Sequence, residues 1–265
     1  MSEMKKSTDL EKLYIENYSN TEFVSEEDVY EYLKYFSAFL RHYDEWNSWN
    51  KIENSDLDEH GLMLLWRDHL KNLCIELFNS FLYGNLLTAA AMTRTLIECY
   101  VYIRVLIEEE NPELLEDWFL ASLIKHAKED KSSKSGMLNQ VKAYCKVIGR
   151  DFEKEEKRLY AEKNDNKWLS GVIHLNKFGV RKICEYLDET EIYDDYSYLC
   201  SFIHGQDVLS KMQPFLFYSS IYSKLFIMSL YIFKAIRLFE IDDDLENEIQ
   251  KLEEKLYELG ETYLE

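Results

Sequence analysis

Breakers are scarce in this chain. Two prolines, Pro112 and Pro214, and eight glycines punctuate 265 residues. That scarcity argues against a turn-rich β-sandwich or barrel and favours long helices. The chain has no G-x-x-x-x-G-K-[S/T], no G-x-G-x-x-G and no G-x-S-x-G, so the common phosphate loops and the nucleophile elbow are excluded. None of the six histidines follows a Glu at Glu-x-x-His spacing, which removes the usual ligand pattern of a di-iron bundle. The five cysteines (Cys74, Cys99, Cys145, Cys184, Cys200) are odd in number and form no C-x-x-C. That is the usage of a reducing compartment, and a cytoplasmic location is expected. The N-terminus leads into charge and not into an apolar stretch, so no signal peptide is expected. Pro214 to Phe239 is the most apolar segment, but Lys224, Lys234 and Arg237 interrupt it. It lacks an uncharged run of about 18 residues and reads as a core helix, with no membrane role expected.

Hydrophobic residues make up 46% of the chain and aromatics 15%, enough for a substantial core in one large domain or two intimate ones. The formal net charge is −19, so phosphate backbones repel the protein as a whole and generic DNA binding is not expected. Lys125 to Lys167 departs from this, with twelve Lys and Arg against eight Asp and Glu. A face with that balance leaves RNA possible as a partner, although a solvated helix surface gives the same pattern.

Hydrophobic periodicity predicts eight to nine helices in an all-α bundle around one core. Ser25-Glu-Glu-Asp28 is an N-terminal capping signature for a helix to about Trp46. Asp56 to Tyr83 forms a second helix. Asn85 caps a third, Leu86 to Glu110, and Pro112 starts a fourth. Met137 to about Lys163 reads as one basic helix. Trp168 to His174 is a short apolar segment. Lys177 to Leu187 and Ile192 to His204 are further helices, and an acidic amphipathic helix begins at Asp242. The expected organisation is an N-terminal segment (1–24), a helical domain (25–240) and an acidic C-terminal helix packed on it (241–265). Leu245, Ile249, Leu252, Leu256 and Leu259 give that last helix an apolar stripe at heptad-like spacing. The stripe suits docking on its own core, on a protein partner or on a second copy. Asp56-x-Asp58-x-His60-Gly61 resembles a calcium loop, but Arg67 stands at position twelve where a bidentate Glu is required. No metal and no cofactor are expected.

One polar constellation stands out. Leu86 to Ile103 is apolar nearly all round, and its only charges, Arg94 and Glu98, are four apart on one face. They share a seam with Leu87, Ala91, Val101 and Val105, so the pair is expected to be buried and hydrogen-bonded. If so, Glu98→Ala costs about 3–5 kcal/mol. A register-fixing ion pair is one reading. The other is a polar pocket in which Arg94 holds an anion or carboxylate and Glu98 orients it. Later, Ser197, Cys200, Ser201 and His204 fall on one helical stripe beside Tyr196. His204 is expected at the negative end of a helix dipole, where a general acid or base can be poised, or where a capping histidine can be inert.

The run Ala89-Ala-Ala-Met-Thr-Arg94-Thr-Leu-Ile-Glu98, followed by Trp168 and by Tyr193-x-x-Tyr196-x-x-x-x-Ser201-x-x-His204, resembles a bacterial all-helical family known only as a domain of unknown function. The resemblance covers roughly Leu57 to Met212 and implies an all-helical fold. A wider similarity is to HEPN ribonucleases, whose signature is Arg, four to six residues, then His. Here Ser197, Tyr198 and Leu199 occupy the positions that would carry that Arg. The favoured expectation is a binding, regulatory or scaffolding module. The alternative is a metal-independent, ribonuclease-like toxin or phage-defence effector. In that reading His204, Arg94 and Glu98 are catalytic, and Tyr196, Ser197 and Ser201 bind.

Overall fold

The computed structural model describes residues 26–49, 59–129, 134–161, 166–173, 179–203 and 214–264. Those residues form ten α-helices and one 3-10 turn and contain no strand. The helices are α1 (Glu26–Trp49), α2 (Glu59–Leu82), α3 (Leu86–Glu108), α4 (Pro112–Glu129), α5 (Lys134–Val147), α6 (Phe152–Leu159), α7 (Val180–Tyr186), α8 (Thr190–Ile203), α9 (Pro214–Ile236) and α10 (Asp243–Leu264). The 3-10 turn, Lys167–Gly171, lies between α6 and α7. The all-α class stands, with more helices than the eight to nine expected. Ser25 and the 1–24 segment lie outside the described residues.

The extra helix comes from a break inside Met137–Lys163. Gly149 adopts φ 72°, the left-handed conformation that ends α5. Two residues later the Asp151 side chain accepts from the Lys154 backbone N–H at 2.9 Å and caps α6. Other starts follow the expected chemistry. Asn85 Oδ1 accepts from the Thr88 N–H at 3.2 Å, and Asp242 Oδ1 from the Leu245 N–H at 2.8 Å. At α4 the cap is Asn111, accepting from the Glu113 N–H at 3.0 Å, with Pro112 in the first helical position.

The described residues fall into two compact units, one within Met1–Glu53, Arg67–Tyr100 and Asp194–Glu265, the other within Asn54–Trp66 and Val101–Tyr193. The first unit is built on aromatic packing. Phe36 stacks on Phe78 at 6.1 Å, and Phe39 meets Phe233 edge-on at 6.4 Å. Buried hydroxyls are satisfied across helices: Tyr32 donates to Ser229 Oγ at 2.7 Å and Tyr43 to the Arg67 carbonyl at 3.0 Å. The stripe of α10 docks on α1, burying Leu245, Ile249, Leu252 and Leu256 in its own unit. Arg237 ties α9 to the same helix, donating to Glu246 and Glu253.

In the second unit Trp66 stacks on Trp118 at 4.4 Å, and Trp168 meets Tyr102 edge-on at 6.0 Å. Buried Asp117 accepts from Arg150 at 2.6 Å and from both terminal nitrogens of Arg158. That network clamps α6 and the α5–α6 turn onto α4, and it absorbs two of the cations that make the Lys125–Lys167 stretch basic. Helix α3 has the length and composition to cross a membrane, but 56% of its most apolar stretch is buried inside the protein, as in a core helix.

Candidate functional site

The constellation forms where α8 crosses α3 within the first unit. Glu98 Oε1 accepts the Tyr196 hydroxyl at 2.8 Å. Arg94 Nη2 lies 3.6 Å from the same oxygen. The Arg94 guanidinium carbon sits 5.7 Å from the Tyr196 ring centroid, and the Cys200 thiol is close enough to act on its charge. The carboxylate therefore has one firm partner and one loose one. Arg94 Nε is buried and has no hydrogen-bond partner among the described residues.

Burial is shallower than the sequence implied. The Arg94 side chain is 33% exposed and Glu98 25%. The seam explains this. Leu87 is exposed at 46% and Ala91 is half-buried, whereas Val101 and Val105 are sealed. The apolar composition of α3 thus overstates the cover over its N-terminal half. The pair is partnered, as expected, but by a half-buried arrangement.

Electrostatics follow the geometry. Burial works against the Arg94 charge, but Tyr196, Glu98 and Cys200 outweigh it and hold the guanidinium above its ordinary value. Burial, then the hydrogen bond to Glu98, pushes the Tyr196 phenol well up. Burial and the Glu98 charge push the neighbouring Cys99 thiol to about 12. Near neutral pH these residues offer a fixed positive charge, a neutral phenol and a neutral thiol.

The other sequence candidates separate. Ser197 is exposed and Ser201 half-buried, and neither hydrogen-bonds Arg94 or Glu98 among the described residues. His204 lies outside the described residues. Cys200, which the sequence reading placed on the stripe without a role, is the stripe residue that reaches Arg94. Lys224 was missed. It is wholly buried, with Nζ 3.6 Å from the Phe202 ring centroid and 3.4 Å from the Tyr198 hydroxyl. Its signal was a single cation deep in an apolar run, and that was read only as an interruption. Among the described residues no group of three His, Cys, Asp or Glu side chains is placed to hold a metal ion.

The whole constellation, from Arg94 to Ser201, falls inside one stretch of shared ancestry. Residues 69–213 match the family of unknown function DUF5677. The chain belongs to that family. No curated protein and no solved structure matches it. The comparisons carry no link to HEPN proteins or to phage defence. Membership in DUF5677 brings no activity with it.

Proposed function

We propose that this DUF5677 protein is a non-catalytic binding module, regulatory or scaffolding, in which Arg94 receives a single anionic group of a ligand or protein partner. The observation that carries this reading is the division of labour around Glu98. Its Oε1 is committed to the Tyr196 hydroxyl, while Arg94 keeps loose contact, partial exposure and a free Nε among the described residues. A guanidinium so placed has donor capacity for an oxyanion. The Tyr196 phenol and the Cys99 thiol are held protonated, so these residues bind charge better than they move protons near neutral pH. Glu98 beside Arg94 and the overall charge of −19 disfavour a polyanion such as RNA and favour one carboxylate or phosphate group.

The test follows the Arg94 side-chain N–H resonances while acetate or inorganic phosphate is added at constant ionic strength. Saturable shifts in the wild type that vanish in Arg94→Gln, with the fold retained, support the module. Unresponsive Arg94 resonances would end it. A parallel incubation with single-stranded RNA tests the ribonuclease alternative. Cleavage by the wild type and not by His204→Ala would replace the binding module with that enzyme, since His204 has the side chain suited to both proton transfers.

A further inference from the structure

Arg67 is buried more deeply than Arg94 and is differently surrounded. It lies on α2, 6% exposed, with its guanidinium carbon 3.8 Å from the Trp46 ring centroid at the last turn of α1. Two of its nitrogens, Nε and Nη2, are buried and have no hydrogen-bond partner among the described residues. These two atoms share one edge of the guanidinium plane. That edge presents two parallel N–H groups and matches the two oxygens of a planar carboxylate. Next to Trp46, Asn47 is fully buried, and its Nδ2 donates to Asp68 Oδ1 at 2.7 Å. This bond fixes which way the amide points. It leaves Oδ1 buried without a donor among the described residues.

A buried donor without an acceptor costs about 1–3 kcal/mol, and more when it carries charge. Two such donors on one edge, on a side chain that stays protonated in proteins, call for an acceptor that the described residues do not supply. Trp46 adds to it. An indole face against the guanidinium holds its plane and leaves the in-plane N–H groups free of that contact. Burial favours a small ligand over a large one, and the planar fork favours a carboxylate over a sphere such as chloride.

We propose that the Nε–Nη2 edge of Arg67, backed by Trp46, is a second binding site and that it takes the carboxylate group of a small molecule in bidentate geometry. This site is independent of Arg94. It lies on α2 and α1, whereas the Arg94 constellation lies on α3 and α8.

Thermal unfolding in sodium acetate, against sodium phosphate and sodium chloride at equal ionic strength, provides the test. In Arg94→Gln, which removes the Arg94 site, the midpoint should rise saturably by about 2–4 °C in acetate and stay level in the other two salts. Added to that background, Arg67→Lys keeps the charge but loses the fork, and should lose the rise. A rise in the wild type that is absent from Arg94→Gln would assign acetate to Arg94 and overturn this proposal while leaving the other intact. In Arg94→Gln, a rise in phosphate alone would overturn the carboxylate assignment. A flat response of the wild type would mean that water or the protein's own groups satisfy the edge, which also overturns it. Should Arg67→Lys not fold, wild-type protein suffices: an isotope-filtered Overhauser contact from the acetate methyl to the Trp46 ring is expected, and its absence at saturating acetate refutes the site.

Discussion

The competition for Glu98 can be measured. Its carboxylate faces a phenol at 2.8 Å and a guanidinium at 3.6 Å, and the two should contribute unequally. A hydrogen bond to a charged acceptor contributes about 1.5–3 kcal/mol when buried. With Glu98 a quarter exposed, solvent reduces this to about 1–2 kcal/mol. The Arg94 contact is an i,i+4 pair on a partly exposed helix face and beyond direct hydrogen-bond distance, so about 0.3–0.5 kcal/mol is expected. Two double-mutant cycles separate these terms, one with Tyr196→Phe and Glu98→Gln, the other with Arg94→Gln and Glu98→Gln, read by urea denaturation. The phenol coupling should exceed the guanidinium coupling two-fold or more, with unchanged denaturant slopes. Glu98→Ala alone should then cost about 1–2 kcal/mol, not the 3–5 of a fully buried pair. A Tyr196–Glu98 coupling below about 0.5 kcal/mol, or a larger Arg94–Glu98 coupling, would refute this account of the site.

Other outcomes follow from the packing. Asp117→Asn should cost about 1–3 kcal/mol in chemical denaturation, because a side chain only 11% exposed loses its charge-assisted bonds to Arg150 and Arg158, which keep Glu116 and Glu155 as partners. Leu252→Ala should cost about 2–4 kcal/mol and expose α10 to limited proteolysis, since Leu252 is 1% exposed in its own unit. Alkaline stability should fall from about pH 10 upward. Burial raises Tyr43 and Tyr196 above their unfolded values. Their neutral forms therefore support the fold below the unfolded pKa, and that support is lost as pH rises toward the folded one. Tyr196→Phe should flatten part of this decline, and an unchanged profile would show that Tyr196 does not couple to stability.

Much of the helix pattern was legible because its signals are local. Asn85, Pro112 and Asp242 act within a turn of themselves, and each sits where its chemistry suggests. The break at Gly149-Arg150-Asp151 was equally local, a left-handed glycine followed by a capping aspartate, but the surrounding helical periodicity hid it. The site was legible in part. Spacing put Arg94 and Glu98 on one face, whereas the choice of Tyr196 and Cys200 over Ser197 and Ser201 depends on how α8 is rotated against α3. No single-helix pattern encodes that angle. Depth was misjudged for the same reason. Composition shows how apolar a helix is, but the exposure of Leu87 depends on which neighbours stop short of it. Arg67 was visible only as the residue that spoils a calcium loop, because its stacking on Trp46 joins two helices.

The α10 stripe shows why interaction surfaces are hard to find in such a sequence. Burial of heptad-spaced leucines contributes the same free energy whether the opposing face belongs to the same chain or to another. Once Leu245, Ile249, Leu252 and Leu256 are committed to α1, only the half-buried Leu259 of the stripe is left for a partner without unfolding the contact. A partner binding this unit in its folded form must use what the fold leaves outside. Tyr30, Tyr83 and Tyr257 are at least half exposed. Tyrosine suits such a surface, because it adds apolar area and a hydroxyl at small entropic cost. With 50 Asp and Glu against 31 Lys and Arg, a protein partner that approaches this surface gains from carrying positive charge. The anionic group proposed for Arg94 must come from the opposite kind of ligand, small enough to reach one guanidinium without meeting the field of the whole molecule. Binding at Arg94 should therefore depend weakly on salt and binding of a protein partner strongly, and a titration of each against ionic strength separates a local contact from a steered one.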